Sequence, residues 1–150
     1  MKLRDWIIVI VLIAADQISK LWISSAMQLN QSIEVIKDFF YITYTTNTGA
    51  AWSVGEGLGS LFVVVAFALC GGIVYYLYKH EDTGWFLKLV LLLIVAGGLG
   101  NAIDRVRLGY VIDFLNFYIF GYDFPVFNIA DCFITLAMFG LIISVMTEKE

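Results

Sequence analysis

The chain has 150 residues, of which 61% are hydrophobic and only 15% are charged. A typical soluble domain is about 45–50% apolar and about 25% charged, so this composition indicates a small integral membrane protein with a single domain. It excludes a disordered chain, a collagen-like chain and a disulfide scaffold, and a net charge of −4 without a basic run indicates no nucleic acid partner.

Four apolar runs predict four membrane-spanning helices, each close to the roughly 20 residues that a bilayer requires. Their approximate bounds are 6–26, 58–78, 85–105 and 124–146. Because lipid-exposed backbone must satisfy its own hydrogen bonds, we predict an all-α membrane fold, a four-transmembrane-helix bundle. The first run also resembles a secretory signal peptide, but Asp16 and Lys20 disfavour cleavage, so we expect one domain over residues 1–150.

The connections between these runs are unequal. The segment between the first two runs contains FFYITYTT (Phe39 to Thr46), an aromatic and β-branched stretch that is typical of a strand. We therefore predict a small extracellular β-sheet platform beside the bundle. The later segment from Val106 to Asp123 is partly apolar, and we expect it to lie at the membrane interface.

Ionisable residues inside apolar runs are costly and are therefore candidates for a functional site. Asp16 and Lys20 are spaced i,i+4 on the first run, so they share a helix face and can pair. A purely structural ion pair would have the same spacing, and both interpretations remain open.

The third run ends in GGLGNAIDRVRLG, where three glycines would let another backbone approach closely. Asn101, Asp104 and Arg105 follow, and their i, i+3 and i+4 spacing places them on one helix face. Helix packing with a terminal ion pair explains the glycines, but it explains less well why three polar side chains share one face.

Two more carboxylates lie near the same end of the predicted bundle. Asp113 lies in the apolar stretch YVIDFLNF, and Asp131 lies seven residues into the fourth run, with Asn128 and Thr135 on its helix face. Two carboxylates held close share a proton, so one can act on water as a base while the other donates a proton, as in aspartic proteases. The alternatives are an interfacial charge for Asp113 and a single polar contact between helices for Asp131.

Other hydrolytic chemistries are disfavoured by the positions of histidine and cysteine. The one histidine, His80, lies in the turn at the opposite end of the predicted bundle, which excludes a Ser–His or Cys–His nucleophile and a multi-histidine zinc site at the acidic end. Cys70 and Cys132 lack C-x-x-C spacing, so we expect no metal, no disulfide and no other cofactor.

Five motifs, in this order along the chain, resemble lipoprotein signal peptidase, the type II signal peptidase family of bacteria. They are DQISK (Asp16 to Lys20), NTGAAWS (Asn47 to Ser53), GGLGNAIDR (Gly97 to Arg105), GYVIDF (Gly109 to Phe114) and FNIAD (Phe127 to Asp131). Ser19 and Trp52 stand where Thr and Phe are common in the family, and both differences keep the chemistry of the side chain.

The resemblance implies an aspartyl endopeptidase that cleaves the signal peptide of a diacylglyceryl-modified prolipoprotein just before the lipidated cysteine. It implies that Asp113 and Asp131 are the catalytic pair, with Arg105 contacting substrate. The residues that it implies line or support the site are Asn47, Asn101, Asp104, Arg105, Asn128, Asp16 and Lys20. It also implies the bacterial plasma (inner) membrane, cytoplasmic termini, an active site near the outer face, contact with membrane lipid and inhibition by globomycin-type peptides.

Two other classes of function remain open at this point. A small proton-coupled transporter would also use buried carboxylates, but it would expose them to both sides near the midplane, whereas these cluster towards one end. A structural assembly factor would use the same polar side chains only to hold helices together. Substitution of Asp113 and Asp131 discriminates between these classes and a peptidase.

Overall fold

The computed structural model of the chain describes residues 1–49, 55 and 57–147. Within these residues, four helices form a bundle: α1 (Leu3–Ala26), α2 (Gly59–Lys79), α3 (Trp85–Leu108) and α4 (Ile129–Thr147). Each is long and apolar enough to cross a membrane. Their lengths of 19 to 24 residues correspond to about 29–36 Å of helix, against a hydrocarbon core of about 30 Å.

The described residues also form a four-stranded antiparallel sheet in the order β1-β2-β3-β4. The strands are β1 (Ser32–Ile36), β2 (Phe40–Asn47), β3 (Val111–Ile119) and β4 (Tyr122–Asp123). β1 and β2 connect α1 to α2, and β3 and β4 connect α3 to α4, so the sheet lies at one end of the bundle. We call this the sheet end. The predicted strand over FFYITYTT is confirmed as β2, displaced by one residue.

α3 is the central helix, and it packs against the other three. Two of its glycines allow this close packing because an added Cβ would collide with a neighbouring helix. At Gly97 a Cβ would lie 2.5 Å from the carbonyl oxygen of Ala130 in α4, and at Gly100 it would lie 2.8 Å from a carboxylate oxygen of Asp16 in α1. The close approach predicted at these glycines is confirmed, and it brings α1 and α4 together at the sheet end.

The sheet rests on the bundle through a separate apolar cluster. Ile112 and Phe114 of β3 are buried there with Ile23 and Met27 from the end of α1. Because successive side chains of a strand point to opposite faces, Asp113 lies on the other face of β3 from its two neighbours. The packing of the sheet therefore decides the direction in which this carboxylate points.

α4 begins at Ile129, five residues after the predicted start of the fourth run at 124. The residues just before α4 pair with the sheet instead of extending the helix, because Phe127 exchanges backbone hydrogen bonds of 2.8 and 3.0 Å with Leu115 of β3. The depth predicted for Asp131 is therefore wrong. It lies in the first turn of α4 rather than two turns inside the helix.

Candidate active site

The structure brings the two predicted carboxylates to one residue, Asn128. The side-chain amide of Asn128 donates a hydrogen bond from Nδ2 to Oδ1 of Asp113 over 2.6 Å. The backbone N–H of Asn128 donates to Oδ2 of Asp131 over 3.2 Å. Asn128 is fully buried and Asp113 is 2% exposed, so the bond between them is made away from bulk water, whereas Asp131 is partly exposed.

Asp113 is positioned by an irregularity in the pairing of β2 with β3. Ile42 pairs with Leu115, but the next partner of β2 is Thr45, which pairs with Asp113, so β2 has one more residue than β3 in this interval. Such bulges redirect side chains and are frequent beside active sites. Beyond the bulge, Asn47 donates from Nδ2 to Oδ2 of Asp113 over 3.2 Å.

Asp131 is positioned by the start of α4. Its backbone N–H donates to Oδ1 of Asn128 over 3.0 Å, while its own Oδ2 accepts from the Asn128 N–H. This reciprocal pair has the form of a capping box, and the positive end of the helix stabilises a carboxylate there. The predicted helical stripe of Asn128, Asp131 and Thr135 is wrong, because Asn128 precedes the helix and Thr135 is exposed.

Burial has a large effect on the acidity of Asp113. Burial first, and then the negative charge of Asp131, raise the pKa of Asp113 from 3.8 to about 7. The hydrogen bonds from Asn128 and Asn47 act in the opposite direction and lower this pKa. At near-neutral pH the carboxyl of Asp113 can therefore hold a proton, which is what general acid catalysis requires.

Lys20 lies beneath this pair in a buried cluster. Its Nζ is 2.9 Å from Oδ2 of Asp16 and 3.1 Å from Oδ2 of Asp104, and all three side chains are fully buried. The same ammonium donates to Oδ1 of Asn101 over 2.9 Å, and Nδ2 of Asn101 donates to Oδ1 of Asp131 over 2.7 Å. The predicted pairing of Asp16 with Lys20 is confirmed, and a chain of hydrogen bonds links it to the predicted dyad.

The sequence predicts that Arg105 shares a helix face with Asn101 and Asp104, but its side chain makes its contacts elsewhere. Its Nη2 donates to the carbonyl oxygen of Gly49 over 2.6 Å, and its guanidinium lies 5.2 Å from the centre of the Phe62 ring. Arg105 therefore faces the chain that follows β2, whereas the other two residues face Lys20. The stretch from Ala50 to Ser53 of the NTGAAWS motif, which includes Trp52, lies outside the described residues.

Two further residues of this region are not singled out by the sequence. Nε2 of Gln17 lies 3.1 Å from Oδ2 of Asp16 and 3.0 Å from Oδ1 of Asp104, so one amide joins two carboxylates of the cluster. Gln17 lies inside the DQISK motif, and its place in that motif is the feature of the sequence that could have marked it as a site residue. Phe62, which stacks on Arg105, lies in a continuous apolar run and carries no signal of its own.

Across the described stretches 1–49 and 57–147 with residue 55, no group of three or more His, Cys, Asp or Glu side chains is arranged to hold a metal ion.

Comparison with known proteins adds independent evidence. The family described as signal peptidase (SPase) II matches residues 8–147. A lipoprotein signal peptidase of Streptococcus agalactiae serotype V is 41% identical over 144 residues, which cover 96% of this chain and 92% of that protein. A lipoprotein signal peptidase of Staphylococcus aureus is 37% identical over 144 residues, covering 96% of this chain and 88% of that protein.

Two solved structures of bacterial membrane enzymes share the fold. One, determined by the in meso method at 2.3 Å resolution, superposes with a TM-score of 0.91 at 36% identity, covering 98% of this chain and 90% of the other. The second, at 1.9 Å resolution, gives a TM-score of 0.85 at 37% identity, with 95% and 92% covered. Together with the match over residues 8–147, these similarities show that the chain belongs to the signal peptidase II family.

Proposed function

We propose that this chain is an aspartyl endopeptidase that removes the signal peptide from diacylglyceryl-modified prolipoproteins by cutting just before the lipidated cysteine. The names of its relatives support the substrate. The observation that carries the chemistry is the bonding of Asn128 to both Asp113 and Asp131. The comparisons give no support to a proton-coupled transporter, and a structural assembly factor would not require two carboxylates held by one buried amide.

In the proposed reaction, one carboxylate of the pair is ionised and the other carries the shared proton. The ionised carboxylate takes a proton from water as the water oxygen bonds to the scissile carbonyl carbon, and the protonated carboxyl gives its proton to the carbonyl oxygen. In the second step, the first carboxyl protonates the leaving nitrogen and the second takes a proton back from a hydroxyl as the C–N bond breaks. The pair thereby returns to its starting protonation.

We place this site near the outer face of the bacterial plasma membrane, with cytoplasmic termini and an extracellular sheet. Lys2 precedes α1, Arg4 lies in the first turn of α1, and Lys79 ends α2. These cations therefore lie at the end of the bundle opposite the sheet. Positive charges beside spanning helices favour the cytoplasmic side. A signal peptide that carries a lipid would enter sideways from the bilayer, and the sheet would hold it beside the dyad.

Arg105 is the side chain that we propose contacts the substrate backbone. It lies at the sheet end of α3, and among the described residues its Nε is buried without a hydrogen-bond partner, so a donor remains for a peptide carbonyl. Asn47, Asn101, Asp104, Asn128, Asp16 and Lys20 would support the dyad through the bonds described above. A globomycin-type cyclic peptide would occupy the same site.

The test is cleavage of a lipidated prolipoprotein by the purified protein in detergent. Asp113→Asn and Asp131→Asn keep the shape of each side chain, and each is expected to lower kcat by about 10²–10⁴-fold or more. Asp123→Asn, at an exposed carboxylate of β4, is the matched control and should cleave at the wild-type rate. Near-normal cleavage by either dyad variant would refute the proposal, and flux that depends on a pH gradient would favour the transporter instead.

A further inference from the structure

We infer that the two carboxylates are not equivalent: Asp131 is ionised at the start of the reaction and Asp113 carries the shared proton, because Lys20 acts on Asp131 through Asn101. The inference rests on the proposed function, since it concerns the same pair. It assigns Asp131 as the base that activates water and Asp113 as the acid that protonates the carbonyl oxygen. Lys20 and Asn101 become positioning residues.

The direction of the hydrogen bonds begins at Lys20. An ammonium group has three N–H donors and no acceptor, and here its three partners are Asp16, Asp104 and Asn101. Asn101 must therefore present its carbonyl oxygen to the ammonium, which leaves its NH2 group facing the dyad. That NH2 group donates to Oδ1 of Asp131 over 2.7 Å. A buried cation thus directs a donor onto this particular carboxylate.

The orientation of Asn128 is fixed in the same way, by a group that can only donate. The backbone N–H of Asp131 donates to Oδ1 of Asn128, so Nδ2 of Asn128 must point away from the helix. This Nδ2 is shared between Oδ1 of Asn101 at 3.1 Å and Oδ1 of Asp113 at 2.6 Å. Both oxygens of Asp113 accept from amides, but the bond from Asn47 to Oδ2 is the longer one, at 3.2 Å. A protonated carboxyl accepts well at its carbonyl oxygen and only weakly at its hydroxyl oxygen, so we assign the proton to Oδ2.

The start of α4 supports the same assignment independently of Lys20. Asp131 lies in the first turn of a 19-residue helix and accepts a hydrogen bond from the N–H of Asn128. The helix macrodipole favours negative charge at this position. Asp113 lies on a strand, and the dipole of a sheet offers no comparable stabilisation.

The other charged groups that face the pair do not reverse this difference. The negative charge of Asp16 on α1 acts on Asp131 and opposes the assignment, but this carboxylate and that of Asp104 on α3 are both held against the ammonium of Lys20, which offsets it. On α3, Arg105 lies within electrostatic reach of both members of the pair. Lys20 also reaches both by its charge, but hydrogen bonds link it to Asp131 through one amide and to Asp113 only through two.

Infrared spectroscopy can distinguish the two carboxylates, because the carbonyl stretch of a protonated carboxyl is separate from the bands of a carboxylate. Asp113→Asn leaves only Asp131 to titrate in the dyad, and Asp131→Asn leaves only Asp113. We expect the protonated band to persist to a pH higher by about one unit or more in Asp131→Asn than in Asp113→Asn. Asp123→Asn is the control and should leave the dyad band of the wild type unchanged. Equal midpoints, or the reverse order, would overturn the assignment.

A second measurement tests the route through Asn101. Adding Asn101→Leu to Asp113→Asn removes the donor to Asp131 and should raise the midpoint of the remaining band by about 1–2 pH units. Asn116→Leu, at a buried amide of β3 that donates to Thr43, is the matched control and should leave the midpoint in place. Asn101→Thr, too short to reach Asp131, replaces the leucine variant if that variant does not fold. An unchanged midpoint would show that Asn101 does not carry the effect.

The two proposals fail in different experiments. The proposed function fails if either dyad variant still cleaves the lipidated substrate. The assignment of the proton fails on the infrared midpoints alone, even where both variants have lost cleavage.

Discussion

Asp16 of α1 accepts a hydrogen bond from the backbone N–H of Ala130 in α4, over 3.0 Å and across 114 positions of sequence. Its other oxygen lies 2.9 Å from Nζ of Lys20. The first N–H groups of a helix have no partner within that helix, so a carboxylate from another helix both satisfies one of them and meets the positive helix end. Asp16 therefore locates the start of α4, and with it Asp131.

The first prediction concerns this contact. Asp16→Ala removes one partner of a buried ion pair and leaves the Ala130 N–H unsatisfied, so it should lower the free energy of unfolding by about 3–5 kcal/mol. Asp16→Asn keeps an oxygen that can accept from Ala130 and should lose less. Thermal unfolding in detergent measures both, with Asp82→Ala in the exposed turn after α2 as the control. Equal shifts for Asp16→Ala and the control would contradict the role given to Asp16.

The second prediction concerns the packing of α3 on α4. A Cβ at Gly97 would lie 2.5 Å from the carbonyl oxygen of Ala130, so Gly97→Ala must push the start of α4 away. We expect a loss of about 1–3 kcal/mol in unfolding free energy and a larger proportional loss of cleavage, because Asp131 moves with that helix start.

Gly72→Ala in α2 is the matched control for this change. A Cβ there would have no atom of the described residues within 4 Å, and alanine is favoured over glycine inside a helix by up to about 1 kcal/mol. The control should therefore be as stable as the wild type or slightly more stable. If Gly97→Ala and Gly72→Ala have the same effect on stability and cleavage, the close approach of α4 does not explain the glycine at position 97.

The helices and the candidate acids could be predicted from the sequence because each has a local signal. An apolar run of about 20 residues predicts a span whatever it packs against, and Asp16 with Lys20 are brought together by helical spacing alone. The strand at β2 is predicted by its aromatic and β-branched residues. Each of these features depends on neighbours within a few positions of the chain.

The arrangement of the site could not be predicted, because it depends on distant pairing. The backbone bonds between Phe127 and Leu115 delay the start of α4 and lay Asn128 beside Asp113. Pro125 and Asn128 are local signals of a helix that begins near Ile129, but nothing in the letters around Phe127 indicates its pairing with β3. The contact of Phe62 in α2 with Arg105 in α3 could not be predicted either, because neither helix has a sequence pattern that indicates it.

The third prediction concerns Phe62. The guanidinium of Arg105 lies 5.2 Å from the centre of this ring, and a cation–π contact of this kind contributes about 0.5–2 kcal/mol. If Arg105 contacts substrate, Phe62→Leu should raise KM by about 2–30-fold with a small change in kcat. Phe62→Tyr keeps an aromatic ring at this position, and its KM should equal that of the wild type.

Phe67→Leu is the control for this third prediction, because Phe67 lies on the same helix and is 53% exposed. Its KM should match that of the wild type. A fall in kcat with KM unchanged in Phe62→Leu would mean that the ring acts on the dyad rather than on the residue proposed to contact substrate.

The fourth prediction concerns the dependence of stability on pH. The pKa of Asp113 is raised from 3.8 to about 7, mainly by burial, so between these values the folded protein binds a proton that the unfolded chain has released. The free energy of unfolding therefore falls as pH rises from about 4 to about 7, by up to about 4 kcal/mol at about 1.4 kcal/mol per pKa unit. Below this window both states are protonated, and above it both are ionised, so the contribution no longer changes.

Asp113→Asn cannot ionise, so the part of the fall that comes from this carboxyl is absent in the variant. Unfolding measured in detergent at intervals from pH 4 to pH 8 should show the variant gaining stability relative to the wild type across that window, and Asp123→Asn should show no such gain. A constant difference between variant and wild type would contradict the raised pKa of Asp113. Because the other carboxyls are present in both proteins, most of their titration cancels in the difference, and a gap that opens between pH 4 and pH 7 belongs to Asp113 and the charges coupled to it.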